Sequence, residues 1–224
     1  MIDLLPPAPA GWFPPTRRRL TVDEIAYMGG YTVIYADPSW SYADKNCSGA
    51  AEQIYRSASF EDMASMPVSR IAAPDAALFM WATYPKLDEA LALIKCWGFT
   101  FKSIAFQWVK YRASGPFFGL GRWTRGNTEP CLLATRGKPH RQDVSVAQLL
   151  MEDLDGIDPW ASEGGVLHAP LTRHSAKPPE VRQRIVRLMG NVPRIELFAR
   201  ERADGFDAWG DQIDSDIVMQ CGRF

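Results

Sequence analysis

Four consecutive residues, Asp37-Pro38-Ser39-Trp40, carry the most specific chemistry in this chain. They follow Tyr31 to Ala36, a short apolar run rich in β-branched and aromatic residues, which reads as a buried strand stopped by proline. In open α/β sheets the carboxyl ends of strands are where ligands bind. A carboxylate beside a proline carbonyl offers two acceptors for the two hydrogens of an exocyclic amine, and an indole two residues on offers a platform for the ring that bears it. The plainer reading of the same four residues is an Asp-Pro turn with a core tryptophan. A second candidate is the stretch from Gly119 to Arg125, where Arg122, Trp123 and Arg125 mix positive charge with an aromatic ring. That mixture suits phosphates and unstacked bases, and its plain alternative is a surface loop. Gly119-Leu-Gly121 does not extend into a dinucleotide fingerprint, because Thr124 stands where the third glycine is needed.

These residues need a scaffold, and the pattern around them supplies one. Ala76 to Trp81 reads as a second buried strand. After it, Leu87, Leu91, Ile94 and Trp97 fall at helical spacing from Pro85 onward, with Gly98 as the stop. Phe99 to Val109 and Pro130 to Thr135 read as further strands. A helix opened by Pro178 and Pro179 and closed by Gly190 precedes a last strand, Arg194 to Ala199. Strands alternating with helices predict a three-layer α/β domain with a largely parallel sheet. Residues 1–20, rich in proline and ending on Arg17, Arg18 and Arg19, read as an arm, and residues 21–224 as one domain. Residues 142–166 hold six acids and no base and read as an acidic insertion, with helical apolar spacing from Val144 to Leu154. Residues 101–141 hold eight Lys or Arg against one Glu, so this stretch can face phosphate.

Composition narrows the classes. The 224 residues, 46% hydrophobic and 23% charged, suit an ordinary globular protein and leave little room for a second full-size domain. The net charge of −1 gives no whole-molecule attraction to nucleic acid or anionic membrane, so any polyanion site is local. Four scattered cysteines, no C-x-x-C and three histidines argue against a metal site. Proline or charge interrupts every apolar run before the ~20 residues a membrane span needs, and the first residues lack a signal-peptide pattern. The expectation is a reduced, cytoplasmic protein in a bacterial or phage-infected cell.

Seven segments, in order, carry a resemblance. They are Ile34 to Trp40, Gly49 to Tyr55, Trp81 to Leu87, Gly119 to Arg125, Leu133 to Pro139, His174 to Glu180 and Arg194 to Arg200. Together they resemble the adenine-N6 methyltransferase family named after the 70-kDa subunit of mRNA adenosine methyltransferase, in the compact form of its bacterial and phage members. The resemblance implies a Rossmann-like fold whose catalytic motif precedes the cofactor-binding end of the chain. It implies S-adenosyl-L-methionine as methyl donor and adenine in DNA as acceptor, with RNA as an alternative substrate.

Carried over residue by residue, Asp37, Pro38, Ser39 and Trp40 match the catalytic motif, Asp37 and Pro38 accepting the amine hydrogens and Trp40 stacking on the base. Asp37, His174, Lys177, Arg200, Asp211 and Gln212 match the cofactor side, with Asp211 where the family has Asn. Tyr55, Lys110, Arg122, Trp123, Arg125 and Glu129 match the substrate side, Lys110 as a helper near target phosphate. The family pattern has a second proline where this chain has Ser39, which restores an N–H and frees φ. That departure motivates a different reading, a non-catalytic nucleic-acid-binding or partner subunit. Pairing as a homodimer, or with another methyltransferase-like subunit, is also consistent with the resemblance.

Overall fold

In the computed structural model the described residues are 18–41, 58–112, 115–116, 123–124, 126–153 and 177–219. They form an eight-stranded sheet covered on both faces, plus a two-stranded ribbon. The central strands are β2 (Tyr31–Ala36), β3 (Ala72–Trp81), β4 (Thr100–Arg112), β6 (Thr128–Arg136) and β8 (Arg194–Leu197). With β5 (Gly115–Pro116) and β9 (Asp207–Trp209), their order across the sheet is β5-β4-β6-β3-β2-β8-β9, and β7 (Leu149–Asp153) pairs with β4. The pairings β2 with β3, β2 with β8, β8 with β9 and β4 with β7 are parallel, while β6 runs antiparallel to both its neighbours. The expected mostly parallel Rossmann-like sheet is therefore present.

The near-continuous apolar strands split by alternation between two cores. Ile34, Ala36, Leu78 and Met80 face one side, where α4 (Leu87–Cys96) contributes Ala90, Leu93 and Ile94 and the turn after it adds Trp97. The Trp97 indole donates to the Met63 carbonyl (2.8 Å), tying α4 to α2 (Phe60–Ser65). Val33, Tyr35, Ala77, Phe79 and Trp81 face the other side, against Val181, Ile185 and Met189 of α5 (Glu180–Met189). Gly98, at φ +80°, ends α4, and Gly190, at φ +82°, ends α5, both in the left-handed region that favours glycine.

The helical reading of Val144 to Leu154 is corrected, because residues 149–153 are strand β7. Backbone pairing with Gln107 to Tyr111 of β4 and the Gln148 amide on the Ile104 carbonyl (2.5 Å) fix that edge. Buried Arg184 of α5 donates to the Ala147 and Leu149 carbonyls (2.7 Å each), so tertiary pairing overrides the local period. Residues 149–153 of the acidic stretch thus belong to the sheet. Residues 154–166 and 1–17 lie outside the described residues. Beyond the arm, β1 (Leu20–Thr21) pairs with β10 (Ile217–Val218), and Thr21 caps α1 (Val22–Tyr27) in a reciprocal box with Glu24. No helix among the described residues is long and apolar enough to cross a membrane.

Candidate active site

The chain leaves β2 toward β3 on one side and β8 toward β9 on the other, so strand order reverses at the β2/β8 boundary. A cavity of about 340 Å³ opens there, lined by Asp37 and Ser39 after β2, Phe198 and Arg200 after β8, and Gly210, Asp211 and Gln212 after β9. Trp209, Ile217 and Met219 supply apolar wall. Four residues expected from the sequence, Asp37, Arg200, Asp211 and Gln212, are thus brought to one site.

Its floor is a tightly bonded loop. Phe198 takes φ +61°, a costly conformation for a non-glycine residue, and its ring packs edge-on against Trp209 (5.6 Å). Gly210 passes so close to Ala199 that a Cβ would lie 2.1 Å from the Ala199 carbonyl oxygen, which explains the glycine. The Ala199 N–H donates to the Trp209 carbonyl (2.9 Å) and the Gly210 N–H to Ser215 Oγ (3.1 Å). Asp216 accepts from the Ala208 N–H (2.9 Å) and pairs with Arg202, while Arg19 reaches Asp214 (2.6 Å). Tyr31 donates to Asp207 (2.7 Å), whose carboxyl is pushed up to about 6 by burial, with nearby Asp216 adding.

Beside the cavity four charges alternate in sign. Lys177 Nζ lies 2.9 Å and 3.1 Å from the two Asp37 oxygens and 3.5 Å from Glu129 Oε2. Lys110 Nζ holds the other Glu129 oxygen at 2.6 Å. Burial pulls the Lys177 pKa down, but the Asp37 and Glu129 carboxylates outweigh it and hold the ammonium above its ordinary value. Burial likewise pushes Glu129 up, and Lys177 and Lys110 overcome it to leave the carboxyl below its usual range. Lys177 precedes α5, which is braced against β8 by Arg182 on Glu196 (2.7 and 3.0 Å). The positive end of that helix holds its own Glu180, paired with Arg184 at 2.5 Å.

Within the motif, Pro38 is buried and its carbonyl accepts the Trp40 N–H (2.9 Å). Trp40, expected to stack on the base, lies largely within the core in this structure. The residue is 7% exposed and its indole N–H donates to the Trp81 carbonyl (3.2 Å), so the side chain joins the core beneath the turn. Lys110 sits on Glu129 and over the Trp108 ring (4.0 Å) rather than at an open phosphate position. Trp123 is 99% exposed. Tyr55, Arg122, Arg125 and His174 lie outside the described residues. Sequence reasoning missed Arg19, Phe198, Trp209 and Ser215 as cavity wall, and Trp81, whose ring lies 5.6 Å below the Lys177 ammonium. Of these, Trp81 and Phe198 lie within segments that carry the resemblance and Trp209 lies close to Asp211-Gln212, whereas Arg19 and Ser215 lie in none of them.

The MT-A70 family profile matches residues 31–212, spanning the strands, the motif and the cavity loop just described. The chain belongs to the MT-A70 family. It is 32% identical over 208 residues to the Type II methyltransferase M.MunI of Mycoplasma sp, covering 84% of this chain and 80% of that protein. It is 27% identical over 196 residues to the human N(6)-adenine-specific methyltransferase METTL4, covering 84% of this chain and 39% of that one. Identity to the human N(6)-adenosine-methyltransferase catalytic subunit METTL3 is 24% over 196 residues, covering 85% of this chain and 30% of that one. The MT-A70 match extends over the Asp37 motif and the Asp211-Gln212 pair, while Arg19 and the wall from Ile213 to Met219 lie outside it.

Proposed function

We propose that this MT-A70 protein transfers the methyl group of S-adenosyl-L-methionine to the N6 amine of adenine in DNA. The base is presented in a single strand, or flipped from a duplex at a cost of about a few kcal/mol. The observation that carries this reading is the position of Asp37, which lines the cavity with Arg200, Asp211 and Gln212 and is also held by Lys177. DNA as substrate is supported by the type II methyltransferase of which this chain spans 80%.

The cavity suits the cofactor. Its size falls at the lower end of small-ligand sites, about 300–1,000 Å³. Asp37 and Asp211 offer acceptors to an ammonium, sulfonium or ribose diol, Arg19 and Arg200 offer donors to a carboxylate, and Trp209, Ile217 and Met219 face a flat base. When bound, the cofactor supplies an electrophilic methyl group. The chain must prepare the other reactant.

Adenine's amine is a poor nucleophile because its lone pair is delocalised into the ring, so it must be aligned and polarised. Asp37 accepts one N–H and the Pro38 carbonyl the other, through the lone pair that Trp40 leaves free. Both Asp37 oxygens carry Lys177, so the incoming amine takes over at least one, and Glu129 at 3.5 Å receives the ammonium. The Asp37 and Glu129 carboxylates favour the charged form of Lys177, which argues against its acting as a base. The N6 proton leaves after transfer.

The test is transfer of tritiated methyl from S-adenosyl-L-methionine to duplex DNA, single-stranded DNA and RNA, with nucleoside analysis, for wild type and Asp37→Ala. Label in deoxy-N6-methyladenosine that disappears in Asp37→Ala is the expected result. Absence of label in DNA and RNA, where a known enzyme works, overturns the reading in favour of a binding subunit. Label confined to RNA reassigns the substrate.

A further inference from the structure

We propose that Lys110 is a positioning residue, which holds Glu129 so that this carboxylate shares the Lys177 ammonium with Asp37, and that it does not contact nucleic-acid phosphate. The inference rests on the methyl-transfer reading and adds a residue to that machinery. Lys110 lies on β4 and Glu129 on β6, where Glu129 pairs with Trp108, two residues before Lys110 and therefore on the same face. The Lys110 side chain is 16% exposed, its ammonium 2.6 Å from Glu129 Oε1 and 4.0 Å from the Trp108 ring centroid. Trp108 in turn packs edge-on against Trp81 (6.0 Å), over which the Lys177 ammonium sits. Glu129 is thus flanked by two ammonium groups, each resting on an indole face. A lysine so engaged would have to give up a buried carboxylate to reach a phosphate.

The charges facing this carboxylate are Lys110 from β4, Lys177 from the turn before α5 and, beyond Lys177, Asp37 from the end of β2 and Arg200 after β8. The four linked groups, Lys110, Glu129, Lys177 and Asp37, sum to zero. Without Lys110 they sum to −1, and Glu129 keeps only the more distant Lys177, already shared with Asp37, which favours its protonated form. A neutral Glu129 no longer draws on Lys177, whose ammonium then belongs to Asp37 alone and obstructs the amine.

The test uses the full chain as wild type, Lys110→Met and Lys110→Arg, with two readouts. Salt dependence of binding to a fluorescent adenine-containing single strand reports phosphate contacts, each contributing roughly 0.7 to the logarithmic slope. The pH dependence of kcat/KM reports Glu129. The expected result is an unchanged salt slope, with Lys110→Met gaining an acid limb that lowers kcat/KM about tenfold per pH unit below its midpoint and recovers at high pH. Lys110→Arg keeps the wild-type profile. A salt slope smaller by roughly 0.7 in Lys110→Met, or a pH profile identical to wild type, overturns the proposal. If wild type transfers no methyl group, the function reading fails separately. The thermal stability of Lys110→Met relative to wild type then decides, because a raised Glu129 pKa makes the deficit grow from pH 5 to pH 8 and a phosphate contact leaves it constant.

Discussion

Replacing Ser39 by proline tests whether the departure from the family motif changes its shape. The Trp40 N–H donates to the Pro38 carbonyl at 2.9 Å, a three-residue turn centred on Ser39. Phe198 is the one non-glycine residue with positive φ among those described, so Ser39 has negative φ. The turn of this kind with negative central φ sits near about −75°, within proline's range of roughly −65 ± 15°. The Ser39 N–H takes part in none of the backbone bonds between described residues, so proline removes no backbone pairing among them. The substitution then acts by restricting the unfolded chain, worth about 0.4–1 kcal/mol. In a domain of this size a kcal/mol corresponds to about 2–4 °C, so Tm rises by roughly 1–4 °C. The assay is a thermal melt beside the tritium assay, and methyl transfer is expected at wild-type rate or above. A Tm lowered by several degrees would refute the turn assignment. A rise in Tm with loss of transfer would mean that Ser39, which lines the cavity, has a direct role.

Three further outcomes follow from the same geometry. Lys177→Met strands Asp37, 17% exposed, and leaves Glu129 to Lys110 alone, at a cost of about 3–5 kcal/mol at pH 8. A urea-unfolding loss below about 1 kcal/mol, the level of an exposed ion pair, would contradict the four-charge arrangement. Gly210→Ala drives a Cβ to 2.1 Å from the Ala199 carbonyl, so the cavity floor must shift. Calorimetry should show S-adenosyl-L-methionine binding weakened by about tenfold or more, equivalent to 1.4 kcal/mol, and unchanged affinity would refute the close approach. Asp207 has its folded pKa raised to about 6, so its contribution to stability is present below its unfolded value and lost as pH rises through 6. Asp207→Asn keeps an acceptor for Tyr31 without the charge, and should raise Tm at pH 8 but not at pH 4. A gain independent of pH would argue against the shift.

The sequence by itself determined the parts whose causes are local. The apolar run Tyr31 to Ala36 is a strand with those bounds, because the Asp37-Pro38 step stops it. The helices ending at Gly98 and Gly190 follow from spacing plus a residue able to adopt positive φ. Asp37, Lys177, Arg200, Asp211 and Gln212 were legible as a set through the family resemblance, and each lies at the cavity or on Asp37.

What only the tertiary structure decided depends on partners far apart in the chain. Residues 149–153 became a strand because β4 offered an unpaired edge, against a local helical period. Trp40 became core because the Trp81 carbonyl and the layer around α2 and α4 surround it. Lys110 met Glu129 because antiparallel register puts them on one face. Arg19 joined the cavity wall through Asp214, 195 residues away, and Lys177 met Asp37 across 140. Periodicity and capping act over a few residues, whereas a buried charge takes whichever opposite charge the packed sheet brings within reach.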